Sequence, residues 1–137
     1  KKLIELADFR IQECVLGDSL MKNPINVKIT NVGEGINSIY DDYSPLIAAD
    51  GSKFIFTSNR KEPGQNNKRG PMMNYEDIYI AKPNHTGWST PEKISPNINI
   101  PYHDAAASIS PDGTTLFLYY EVGGGDIYVS HFDGNEW

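Results

Sequence analysis

The sequence has 137 residues, of which 22% are charged and 39% hydrophobic, and its formal net charge is −6. That is about one small domain's worth of chain, with enough apolar material for a packed core. The acidic balance lacks the basic footprint of a nucleic-acid binder, no apolar run approaches the ~20 residues that span a bilayer, and one cysteine excludes an internal disulfide framework or a cysteine-rich zinc site.

Twelve glycines and nine prolines, with eight tyrosines, five phenylalanines and two tryptophans, favour short strands and many turns over long helices. The chain opens at Lys1, so a preceding segment is expected to have been removed. Residues 1 to about 22 read as a helix. Leu3, Ala7, Ile11, Cys14 and Val15 recur at three- and four-residue spacing, and Asn23-Pro24 ends the pattern. Cys14 lies on that apolar stripe and reads as a small packed residue.

From Ile25 the sequence repeats itself. Ile36-Asn37-Ser38-Ile39-Tyr40-Asp41-Asp42 matches Ile98-Asn99-Ile100-Pro101-Tyr102-His103-Asp104 at an offset of 62. The match runs on through Asp50-Gly51 with Asp112-Gly113, Phe54 with Leu116 and Phe56 with Leu118. Asp77-Ile78-Tyr79-Ile80 then matches Asp126-Ile127-Tyr128-Val129 at 49, as Trp88 matches Trp137. The difference of 13 residues is an insertion in the first copy, between about Asn59 and Asn74.

Each copy predicts a run of short strands: 44–48, 53–58, 77–82 and 90–94 in the first, then 106–109, 115–120 and 126–131 in the second. Val27 to Val32 is expected to be a further strand, equivalent to the fourth of a repeat. Asp-Gly pairs between apolar runs are hairpin signals, and the second copy stops where its fourth strand should begin. Four antiparallel strands per ~40–50 residues is the blade of a β-propeller. The predicted fold is mainly β: about two four-stranded blades of a partial propeller, preceded by a short N-terminal helix. Residues 1–24 would end a helical-repeat region, and 25–137 would form the first blades. Closure takes ~4–8 blades, so the bare blade faces are expected to be covered by further blades of the same polypeptide, by copies packing against one another or by a larger assembly.

The repeated aspartates have two readings. Asp42 and Asp104 either accept backbone N–H bonds that lock a loop, or belong to a ring of carboxylates at a channel mouth that binds a cation or amine. Tyr40, Asp41, Asp42, Tyr102, His103 and Asp104 are the candidate mouth residues. Tyr79, Tyr128, Trp88 and Trp137 are expected to pack between blades. The insertion is basic: Arg60, Lys61, Lys68 and Arg69 stand against Glu62 alone, with Met72, Met73 and Tyr75 at its end. A long loop on a rigid scaffold often carries function, so these residues form a candidate interaction loop, with a solvated excursion as the alternative. In a propeller this loop would share one surface with the mouth residues.

Catalytic constellations are missing from the sequence. There is no Gly-x-Ser-x-Gly elbow, and His85, His103 and His131 show no metal-ligand spacing. Gly33-Glu34-Gly35 lacks the third glycine and following helix of a dinucleotide site, and Gly123-Gly124-Gly125 reads as a hairpin. No cofactor or metal is expected.

Ser110-Pro111-Asp112-Gly113, an aromatic strand and then Asp126-Ile127-Tyr128-Val129-Ser130 resemble WD-like propeller repeats of the TolB type. A terminal helix followed by Asn23-Pro24-Ile25-Asn26-Val27, Ile36-Asn37-Ser38, Tyr43-Ser44-Pro45 and Phe56-Thr57-Ser58-Asn59-Arg60 is similar to envelope proteins of Bacteroidetes-type bacteria. Those proteins join tetratricopeptide repeats, such a propeller and often a peptidoglycan-binding OmpA-like domain, and some belong to type IX secretion and gliding machinery. The chain departs from the pattern at Ala105-Ala106-Ala107 and at Ala49, and carries no OmpA-like segment. The resemblance implies a non-enzymatic protein-interaction scaffold in the periplasm, associated with the outer membrane. Its partners would be other envelope proteins, with peptidoglycan reached through a domain outside this chain. It would bind no nucleic acid and span no membrane. The alternatives are a carbohydrate-binding module using Tyr40, Tyr43 and Tyr102, or a propeller hydrolase drawing on Asp41, Asp42, Asp104 and Glu121.

Overall fold

The computed structural model describes residues 2–61 and 75–137, and the chain divides into two compact units, Lys1–Asn31 and Val32–Trp137. The first unit is built on helix α1, Lys2–Lys22. Ion pairs one turn apart support it, Arg10 with Glu13 and Lys22 with Asp18, both at 2.6 Å. It ends where the side chain and backbone N–H of Asn23 both donate to Ser19 O, just before Pro24. No residue of α1 is buried, and the expected single stripe is not formed, because Phe9, Leu16 and Leu20 lie on the face opposite Leu3, Ile11 and Val15; Cys14 is exposed rather than packed. No helix among the described residues is long and apolar enough to cross a membrane.

The segment from Val27 to Val32 is not a strand. A strand is held by a neighbour's backbone, whereas the Val27 N–H turns to a local carbonyl, Ile25 O, at 2.9 Å. The predicted strand, with its equivalence to a fourth strand, is therefore corrected to irregular chain.

The second unit is mainly β, in three antiparallel sheets. Strands β1 (Asp42–Ile47), β2 (Phe54–Ser58) and β3 (Asp77–Ala81) are joined by β6 (Glu92–Lys93) in the order β1-β2-β3-β6. Between β3 and β6, β4 (Pro83–Asn84) and β5 (Gly87–Trp88) make a small hairpin. Strands β7 (Asp104–Ile109), β8 (Thr115–Tyr120) and β9 (Asp126–His131) form the last sheet in sequence order. The loop with the three glycines joins antiparallel β8 and β9 as a hairpin, with Gly123 and Gly124 in a short 3-10 turn, Val122–Gly124, and Gly125 just after it.

The two larger sheets reproduce one another. Ile55 pairs with Ile80 and Phe56 with Tyr79; at offsets of 62 and 49, Phe117 pairs with Val129 and Leu118 with Tyr128. Each first strand shifts register near its start, between Tyr43 and Leu46 and between Ala106 and Ser108. The Asp-Gly turns agree too, with Gly51 at φ 71° and Gly113 at φ 70°, where a side chain would be strained.

The main core lies between these sheets. Ile55, Ile78 and Ile80 from the first cluster with Ala106, Leu116 and Leu118 from the second, together with Ile98 and Trp137. Burying each such aliphatic side chain contributes roughly 1.5–3 kcal/mol. Polar ties cross the seam as well: Thr57 Oγ1 accepts the Ala106 N–H at 2.9 Å, Lys53 Nζ donates to Gly113 O at 3.1 Å, and the Ala49 N–H to Pro111 O at 3.3 Å. On its other face the first sheet has a second cluster of Ile36, Phe54, Phe56, Tyr79 and Ala81, against which Trp88 packs. Of the four aromatics expected at the seam, only Trp137 is in the shared core; Tyr79 and Trp88 serve the second cluster, and Tyr128 is 44% exposed.

Candidate functional site

The repeated aspartates are the first residues of β1 and β7, both in the second unit. Asp42 opens β1 and closes the loop before it. Its Oδ2 accepts the Ser38 N–H at 2.5 Å and the Ser38 hydroxyl at 2.9 Å. Its Oδ1 accepts the Ser58 hydroxyl and an Arg60 Nη2 donor, each at 2.6 Å. Arg60 also donates to Ile36 O at 2.5 Å, and its guanidinium lies 4.9 Å from the Phe56 ring centre and 5.0 Å from that of Tyr79. Burial alone would raise the Asp42 carboxyl; the bonds from Ser58, Arg60 and Ser38 outweigh it and hold the group below its ordinary value.

Asp104 opens β7 and makes the same loop clasp, with Oδ2 accepting the Ile100 N–H at 2.7 Å. The partners of the other oxygen differ. Tyr120 stands at the offset of Ser58, and its hydroxyl donates at 2.6 Å to Ile98 O, the carbonyl equivalent to the one Arg60 reaches in the first copy. Val122 stands at the offset of Arg60. Oδ1 of the wholly buried Asp104 is left without a hydrogen-bond partner among the described residues. Burial pushes its carboxyl up to about 7, helped by the nearby Asp77 charge and opposed by the Ile100 N–H and Lys93. Tyr120 is pushed up to about 12 by burial, then by Asp104 and Tyr128.

A pocket of about 290 Å³ lies beside this second clasp, lined by Tyr43, Glu76, His103, Asp104, Ala105, Tyr119 and Glu121. His103 faces two of the others. Nδ1 pairs with a Glu76 carboxylate oxygen, Nε2 is 3.8 Å from Glu121 Oε2, and the Tyr75 ring meets the imidazole edge-on at 4.7 Å. Backbone bonds fix these residues: Asp104 N–H donates to Glu76 O at 3.0 Å, and Glu121 N–H to His103 O at 3.2 Å. The site is thus assembled by the seam, from the entry to β3, the entry to β7 and the exit of β8.

Of the six candidate mouth residues, His103 and Asp104 line this pocket, and Tyr102 is near it through its ring contact with Tyr75 at 6.3 Å. Asp42 is committed to its own clasp. Asp41 is tied to Asn59, whose side chain both accepts the Asp41 N–H and donates to its carboxylate, each at 3.0 Å, and Tyr40 N–H donates to Ser38 Oγ at 3.1 Å. In the candidate loop, Arg60 is a clasp residue with its side chain 14% exposed, rather than a free cation, while Lys61 is exposed. Lys68, Arg69, Met72 and Met73 lie outside the described residues. Glu76 and Tyr119 were not singled out by sequence. The available signal was positional: both sit within one residue of strand boundaries next to repeated motifs. Among the described residues, no group of three His, Cys, Asp or Glu side chains is arranged to hold a metal ion.

Comparison with protein families, characterised proteins and solved structures yields no match to this chain.

Proposed function

We propose that the chain is a non-enzymatic protein-interaction scaffold of the bacterial cell envelope. Its second unit would be part of a β-propeller of the TolB type, and its helix the end of a helical-repeat region. The observation that supports this reading best is the repeat itself. The strands β7-β8-β9 agree in order and register with β1-β2-β3, and each set is locked by an aspartate that accepts the N–H four residues upstream. Sheets that stack face to face in this way build a rigid surface from identical parts, and their loops are then free to vary for recognition. The polar groups of the clasps hold loops in place rather than converge on a reacting atom.

The envelope placement, in the periplasm at the outer membrane, and a place in an outer-membrane-associated secretion or gliding machine, as some of the similar proteins have, rest on the sequence resemblance. It is tested by cross-linking in a producing bacterium followed by fractionation. Co-purification with outer-membrane proteins, from a chain inert against glycoside and peptide substrates, supports the reading; turnover of either substrate class overturns it.

Carbohydrate binding is the second reading. The Tyr43 and Tyr119 rings beside Glu76 and Glu121 are the kind of lining that holds a sugar. Retention of the chain on isolated sacculi, lost on Tyr119→Ala, would favour it.

A further inference from the structure

The first repeat shows how this architecture holds a guanidinium. Arg60 is gripped by Asp42 Oδ1 and Ile36 O and lies over the rings of Phe56 and Tyr79. The second repeat keeps the aspartate without the arginine, while Tyr120 takes the carbonyl of Ile98. Asp104 replaces Asp42, Val122 falls at the position of Arg60, and no arginine occurs from Tyr75 to Trp137.

The pocket beside Asp104 concentrates the same chemistry. Three carboxylates line it, those of Glu76, Asp104 and Glu121, against one imidazole, His103, which already faces two of them. Asp104 brings a buried oxygen with no partner among the described residues. Tyr43 and Tyr119 supply aromatic surface, as Phe56 and Tyr79 do for Arg60. At about 290 Å³ the pocket is at the small end of ligand sites, suited to one side chain.

We propose that this pocket binds an arginine side chain presented by a partner protein. The proposal deepens the interaction-scaffold reading and rests on it. The excess of carboxylates disfavours an anion and gives a neutral guest little advantage. A guanidinium suits the site better than an ammonium. Its planar fork offers five donors to carboxylates on several sides, it stacks on tyrosine rings, and it sheds water more readily.

The test titrates the whole chain with acetyl-Gly-Arg-Gly-amide and with the citrulline peptide of the same shape, following tyrosine ring signals by NMR and heat by calorimetry. Saturable shifts at Tyr43 and Tyr119 are expected. Citrulline should bind at least ~10-fold more weakly, since only the charge and its hydrogen bonds differ. Glu121 is half exposed, its side chain at 56%, so Glu121→Gln should fold normally and weaken the arginine peptide about 5-fold, as expected for one lost charge-assisted hydrogen bond. Equal binding of the two peptides, shifts that miss Tyr43 and Tyr119, or an affinity unmoved by Glu121→Gln overturns the proposal. An envelope partner whose binding survives saturating arginine peptide also overturns it, and leaves the scaffold reading standing.

Discussion

Asp42 and Asp104 sit one repeat apart and clasp their preceding loops identically, each accepting the N–H of the residue four positions upstream, at 2.5 and 2.7 Å. Among the described residues, only Asp42 has a cation on its other oxygen. The same backbone solution therefore carries opposite electrostatics, with one carboxyl held low by its donors and the other raised by burial.

Arg60→Met should destabilise the second unit by about 2–4 kcal/mol, because it leaves a largely buried carboxylate without its cation. Asp42→Asn in the same background should recover part of the loss. Urea unfolding of the two single variants and the double variant measures the coupling. Additive losses would show that the pair contributes nothing of its own.

Asp104 predicts a pH dependence of the opposite sense to a salt-bridged aspartate. Its folded-state value of about 7 lies above the ordinary 3.8, so the folded state favours the protonated form. Its contribution is fully present below about pH 4, falls as pH rises toward 7, and is flat beyond. Asp104→Asn keeps an acceptor for the Ile100 N–H and removes the ionisation. It should gain on the wild type by up to about 4 kcal/mol between pH 4 and pH 8. Denaturation midpoints that change in parallel over that range would refute this.

Much of the second unit was legible because its signals are local. Strands β8 and β9 fall at the predicted bounds, between an Asp-Gly turn and a run of glycines. Strands β1 and β7 begin two residues earlier than apolar alternation suggests, because Asp42 pairs with Ser58 and Asp104 with Tyr120 in the ladders. Alternation does not register a polar residue that starts a strand. The loop-locking reading of both aspartates agrees with their bonds to Ser38 and Ile100. Two features were not legible. Arg60 turns inward to Asp42 although its sequence neighbours are basic and polar. The pocket draws Glu76, His103 and Glu121 together from separate segments, a convergence that exists only once the sheets have packed.

Gly125 should be the least replaceable of the three glycines after β8. Its φ is +95°, and a Cβ there would come within 2.5 Å of Tyr119 Oη and 2.7 Å of its ring. Gly124, at φ +108°, has open space around its Cβ position. Gly124→Ala should cost about 1 kcal/mol of backbone strain. Gly125→Ala should cost more, about 2–3 kcal/mol, and should also displace Tyr119 from the pocket. Thermal melts give the order of stability, and the Tyr119 ring signals report the displacement; equal melts for the two variants would contradict it.

Equivalent positions in the two repeats should differ sharply in tolerance. Ile78 and Ile80 are buried in the seam between the sheets, at 0% and 7% exposure, whereas their counterparts Ile127 and Val129 are 64% and 53% exposed. Phe117, the counterpart of Ile55, is 43% exposed on the same strand pair. A lysine at position 78 would bury a charge with no partner in the core, so Ile78→Lys should prevent folding. At position 127 the lysine can reach water, so Ile127→Lys should cost no more than about 0.5 kcal/mol. If further sheets stack on this one, as the propeller reading implies, Ile127 is the face they cover. Ile127→Lys would then be tolerated in the 137-residue chain and disruptive in a longer polypeptide that supplies the next repeat. Circular dichroism melts of both substitutions in both lengths decide this. Tolerance of Ile127→Lys in the longer chain would mean that no sheet docks there and would remove the stacked-sheet reading.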